Sequence, residues 1–160
     1  MCRYLKLGGV ESDRSDILIL YQFYDPFHLF SSYELIGESK NILTIRDQID
    51  KISLTESRIL LNGPSGSGKE LVARKIHKNS SRNLNPFVIL NGALLDSNKY
   101  ELELFGEEKK DGSIFYGALE KASGGVLLID EVTEIPLETQ SKILRVVIDQ
   151  KFKRINSNHD

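Results

Sequence analysis

The chain has 160 residues, 40% of them hydrophobic and 28% charged, enough for one globular domain with a real core and too apolar for a disordered segment. Its 21 Lys and Arg against 23 Asp and Glu leave a net charge of −2, which excludes the chain-wide basic footprint of a dedicated nucleic-acid binder. A single cysteine, Cys2, excludes an internal disulfide and a cysteine-based zinc site, and points to a reducing compartment.

Residues 1–32 differ in texture from the rest. Five aromatics fall between Tyr21 and Phe30 with no period of 2 or 3.6, and the segment is given no role. Its apolar stretch, Ile17 to Leu20 extended weakly by Tyr21 and Phe23, is far short of the roughly 20 residues of a membrane span. No small-residue cleavage pattern follows, so a cytoplasmic protein without a membrane partner is expected.

From Tyr33 onward the chain becomes regular, and residues 33–160 are read as one domain. Ser39 is an expected N-cap for a helix carrying Ile42, Ile45, Ile49 and Ile52 at helical spacing. Arg58 to Asn62 is a nearly continuous apolar run, as in a strand buried on both faces of a parallel sheet. A glycine-rich turn follows, then a helix with Leu71, Val72 and Ile76 on one face, ending near Asn79-Ser80-Ser81. Phe87 to Leu90 is the next expected strand. Ala118 and Leu119 sit on a short helix broken by Gly124-Gly125, and Val126 to Ile129 is a third apolar strand. After Pro136 a helix is expected from about Leu137 to Gln150, with Ile143, Leu144, Val147 and Ile148 inward, and then a last short strand in which Phe152 and Ile155 alternate with basic residues. Strands alternating with helices define an α/β fold with a largely parallel sheet.

Two stretches carry chemistry. Gly63-Pro64-Ser65-Gly66-Ser67-Gly68-Lys69 fits the phosphate-binding pattern and lies between an expected strand and an expected helix. Its glycines let backbone N–H groups converge on an anion, the helix N-terminus adds a positive dipole end, and Lys69 adds a point charge. Glu70 stands where a Ser or Thr usually reaches magnesium, so metal coordination falls more to water and other carboxylates. Asp130-Glu131 close the third strand at its carboxyl end, where open α/β sheets bind ligands. There Asp130 is the expected Mg²⁺ ligand, and Glu131 the group that orients or deprotonates the attacking water. Asn91 falls at the same edge, either as a γ-phosphate sensor or as a turn residue. His28, His77 and His159 have no metal-ligand partners at useful spacing.

These residues resemble the central AAA+ ATPase domain of bacterial enhancer-binding proteins, the activators of sigma-54 RNA polymerase. The matching stretches, in order, are Tyr33-Glu34-Leu35-Ile36-Gly37-Glu38-Ser39, the phosphate loop with Glu70 after Lys69, Pro86-Phe87-Val88 through Asn91, and Glu103-Leu104-Phe105-Gly106. They continue with Gly117-Ala118-Leu119-Glu120, Ala122, Gly124-Gly125, Asp130-Glu131, Glu138-Thr139-Gln140 and Lys142-Ile143-Leu144-Arg145-Val146. The wording after Gly117 is most similar to the nitrogen-regulation response regulators of alphaproteobacterial type, part of two-component systems. The resemblance implies a P-loop NTPase of AAA+ type, a three-layer αβα sandwich. It implies ATP and Mg²⁺ as cofactors, held by Gly63, Pro64, Ser65, Gly66, Ser67, Gly68, Lys69, Glu70 and Leu71, with Ile36 and Gly37 at the adenine and Asp130 at the metal. Glu131 and Asn91 would be catalytic, and the AAA+ interface would support a homo-oligomer.

The sequence departs from the family at four places. Pro64 stands for an acidic residue, and Val126 where Thr or Ser is commoner. Segment 107–116 lacks the family's Gly-Ala-Phe-Thr-Gly-Ala grip, so sigma-54 contact is not expected from it. The chain also stops at Asp160, before the family's sensor strand, trans-acting arginines, helical lid and DNA-binding motif. An incomplete fold with impaired hydrolysis is therefore expected, with Arg58 to Asn62 left open on the side of the sensor strand. Two alternatives stand beside this reading: a small self-contained P-loop kinase or NTPase, and a gene fragment whose core cannot fold alone.

Overall fold

The computed structural model describes residues 3–6, 15–18, 34–96 and 99–157. Cys2, His28, His159, Tyr33 and the aromatics between Tyr21 and Phe30 lie outside the described residues. The main sheet has the strand order β1-β3-β2-β7-β4, with β1 Arg3–Lys6, β2 Ser15–Leu18, β3 Ile59–Asn62, β4 Phe87–Asn91 and β7 Val126–Asp130. Strands β1, β3, β7 and β4 run parallel, while β2 runs against both of its neighbours.

Helix α1, Lys40–Ser53, starts where the sequence places it. Ser39 is extended, and its hydroxyl accepts the Ile42 N–H at 3.4 Å. Ile45, Ile49 and Ile52 form the buried stripe. Together with β3 and Val72, Ala73 and Ile76 of α2, Lys69–Asn79, they make one apolar cluster, which Leu128 of β7 joins and against which Phe87 packs. A second cluster gathers β4, β7, α3 (Tyr100–Phe105), α4 (Ala118–Lys121) and α5 (Leu137–Asp149) around Leu104, Leu119, Leu127 and Ile129. Between α3 and α4 a hairpin of β5, Glu107–Glu108, and β6, Ile114–Phe115, rises from a crossing of Gly106 and Gly117.

Three expectations are corrected. The side of β3 expected to be open is paired: Ser15 to Leu18 register against Asn62 to Ile59, which satisfies backbone groups that burial would otherwise orphan. On α5, Ile143 and Val146 are buried, but Leu144 and Ile148 face out, 59% and 64% exposed. This helix is apolar on two faces, and the core takes the one that also holds Thr139. Residues 151–154 form no strand, and the ladder contact is confined to the next residue. Ile155 makes only a single bridge to Glu107, Phe152 packs against the second cluster with its ring 6.4 Å from Phe105, and Arg154 pairs with Glu120 of α4.

Candidate functional site

The glycine-rich turn leaves the carboxyl end of β3 and enters α2 directly. Gly66 and Gly68 have φ of +76° and +85°, a region that L side chains rarely adopt, and this lets the loop curl back so that Ser67 N–H donates to Pro64 O at 3.2 Å. Gly68 is the N-cap of α2, and no side chain caps the helix start, the end whose dipole favours an anion. The Lys69 ammonium reaches back over the loop, 3.2 Å from Gly63 O and 3.4 Å from Pro64 O. Glu70 is occupied on the helix surface, where its carboxylate accepts from Arg74 Nε at 2.7 Å, and the Arg74 guanidinium lies 4.8 Å from the Phe87 ring centre. Leu71 is half-buried beside Gly68.

The acidic half of the site closes β7, two positions away in the sheet. Asp130 is paired in register with Asn91, the last residue of β4. One Asp130 oxygen accepts the Glu131 N–H at 3.1 Å, and Glu131 itself has φ +49°, a strained conformation for a non-glycine residue. Asn91 plays the turn role that the sequence left open: its side-chain oxygen accepts Ala93 N–H at 2.9 Å and starts the short 3-10 turn Gly92–Leu94. A matching turn, Val132–Glu134, follows Glu131.

Tyr100 holds these two turns together, and sequence reasoning missed it. Its buried hydroxyl lies 2.9 Å from Gly92 O and 3.2 Å from Glu134 O, so it bridges a carbonyl of each turn. Ile36 and Gly37 lie in the irregular stretch before α1, and Ile36 is 88% exposed. Among the described residues no group of three His, Cys, Asp or Glu could hold a metal unaided. His77 sits away from this edge. Burial pushes its imidazole below the usual value, while its Nε2–H donates to Arg82 O at 2.9 Å.

A glycine loop from strand to helix, an acidic pair ending a second parallel strand, and Asn91 ending a third define a P-loop nucleotide-binding fold of AAA+ type. The sigma-54 interaction domain matches residues 35–160, and the chain belongs to that family. It is 46% identical over 131 residues to the nitrogen assimilation regulatory protein NtrX of Azorhizobium caulinodans, covering 81% of this chain and 29% of that protein. It is 39% identical over 126 residues to the transcriptional regulator NtrC of Escherichia coli, covering 76% of this chain and 27% of that protein. NtrX from Brucella abortus in complex with ATP superposes with a TM-score of 0.72 at 49% identity, over 78% of this chain and 27% of that one. The same protein in complex with ADP gives 0.72 at 48%, with the same coverage. The chain thus spans less than a third of the length of these relatives.

Proposed function

We propose that this chain binds ATP as the nucleotide-binding part of a cytoplasmic sigma-54-type transcription regulator, and that it hydrolyses ATP weakly or not at all. The observation that carries the reading is the turn from Gly63 to Lys69, with its positive-φ glycines, uncapped helix start and folded-back ammonium. The ADP and ATP complexes of the Brucella abortus relative support it.

Asp130 and Glu131 fit a magnesium ion held mainly by phosphate oxygens and water, which needs one or two carboxylates rather than a protein cage. When bound, such an ion neutralises phosphate charge. The protein's own part is to hold the triphosphate on the loop's N–H groups and Lys69, and to aim Glu131 at a water, with Asn91 beside it. Weak turnover follows from the described loops at this edge, 63–68, 91–96 and 131–136, which contain no arginine. Lys69 is then the cation left to meet charge developing on a departing phosphate. Hairpin 107–116 carries Glu-Glu-Lys-Lys-Asp-Gly-Ser-Ile-Phe-Tyr, and a grip on sigma-54 through it is no part of the proposed function. Nucleotide-dependent self-association through the AAA+ face is.

Binding of a fluorescent ATP analogue with Mg²⁺, beside Lys69→Ala and with phosphate release read from the same samples, tests the reading. Saturable binding that Lys69→Ala abolishes, with release near background, is expected. A folded chain that binds no nucleotide overturns it.

A further inference from the structure

Residues 34–38 belong to no described strand or helix. They are held at two ends instead. On the far side stands the start of α1, where Ser39 caps the helix and the Ile42 side chain comes within 3.5 Å of the place a Cβ on Gly37 would take. On the near side stands Arg46. From the second turn of α1 it places both Nε, at 3.0 Å, and Nη2 on the Leu35 carbonyl oxygen, while the Leu35 side chain packs against the apolar cluster of α1, β3 and α2.

This use of a guanidinium is unusual. No carboxylate among the described residues pairs with Arg46, and its planar fork, suited to bidentate acceptors, converges on one neutral backbone oxygen. What the two anchors enclose is Ile36, an apolar side chain left 88% exposed, followed by Gly37 at φ +138°. An exposed apolar residue next to a backbone without a side chain is a surface that a flat heteroaromatic ring can lie on while its edge meets peptide groups.

We propose that Arg46 is a positioning residue for the nucleotide base: by fixing the Leu35 carbonyl it holds Ile36-Gly37 as a preformed ledge for a purine, without touching the ligand. The inference rests on the nucleotide reading above and deepens it. Phosphate binding belongs to Gly63 to Lys69 and base binding to a ledge set from α1, so the two separate experimentally.

The test measures affinity of the full chain for ATP and for inorganic tripolyphosphate by displacement of the fluorescent analogue, in wild type, Arg46→Met and Arg46→Lys. Losing a charged clamp on a binding segment should weaken ATP about tenfold in Arg46→Met and leave tripolyphosphate within about twofold, with Arg46→Lys between. Should Arg46→Met lose its cooperative melt, the ATP-to-tripolyphosphate ratio in Arg46→Lys decides in its place. An unchanged ratio in a folded variant overturns the role of Arg46 and leaves the nucleotide reading standing. Failure of the wild-type chain to bind either compound overturns both.

Discussion

Gly92 lies so close to Glu131 that a Cβ built on it would stand 2.6 Å from the Glu131 carbonyl oxygen and 3.0 Å from Ile135 Cγ1. The turn that carries Asn91 and the turn that carries Glu131 therefore touch backbone to backbone. Neither can move without the other. Gly92→Ala forces them apart, because the obstruction is peptide rather than a flexible side-chain end. A loss of about 1–3 kcal/mol is expected, as for other overpacked sites. In a chain of this size that lowers the melting temperature by roughly 2–4 °C per kcal/mol. A thermal melt matching wild type would show that the two turns yield freely.

Tyr100→Phe keeps the ring in the core and removes only the hydroxyl between Gly92 O and Glu134 O. About 1–2 kcal/mol should be lost, since the Gly92 carbonyl stays buried without its donor. The diagnostic effect is local. Amide hydrogen exchange should speed up in 92–95 and 132–135 while β3 and α2 are unaffected. Exchange that rises evenly across the chain would mean that the hydroxyl does not staple these turns.

The pH dependence follows from His77. Burial holds its imidazole below the ordinary value, the carbonyls of Arg82 and Asn85 offset this in part, and the Arg74 charge adds to the lowering. The unfolded chain then binds a proton that the native state resists. Stability should be level above about pH 6.5 and fall as the pH drops below it. In His77→Gln this contribution to the slope should vanish. Urea midpoints at pH 5.5 and 7.5 for both proteins decide, and equal slopes would remove His77 as the cause.

Arg154 and Glu120 pair across 34 residues of sequence with side chains 25% and 22% exposed, and they tie segment 151–157 to α4. Because the pair is partly solvated, Arg154→Met should cost about 1 kcal/mol or less. Trypsin should then cut after Lys151 and Lys153 faster than in wild type. Glu120→Gln should have the same effect, with little added by combining the two. Additive effects would show that the two side chains act independently.

Strands β3, β4 and β7 were legible in the sequence because each reads as a short apolar run, and the phosphate loop because its pattern falls at a strand-to-helix junction, whereas β1 and β2 fell in a segment without readable period. Other features were hidden for physical reasons. On α5, Leu144 and Ile148 have the same character as Ile143 and Val146, so periodicity gives an apolar helix but cannot rank its two faces. The alternation of Phe152 and Ile155 resembles a strand, yet a strand exists only where a neighbour offers a ladder. Tyr100 and Arg46 were invisible for a common reason: their partners are main-chain carbonyls, which leave no trace in residue identity. The pairing of β2 has the same character, since any short extended segment can present the same backbone groups to β3.

Strand β2 lies between β3 and β7, pairing with β3 from Ser15 to Leu18 and, among the described residues, with β7 at Leu18 and Leu128. The two apolar clusters take opposite faces of the sheet, for along β7 Leu127 and Ile129 belong to one and Leu128 to the other. The phosphate loop follows β3, while Asn91 and Asp130 end β4 and β7 on the far side of β2. A triphosphate held at both places is then a suture across β2, and its arrival should raise the unfolding temperature of strands on both sides together.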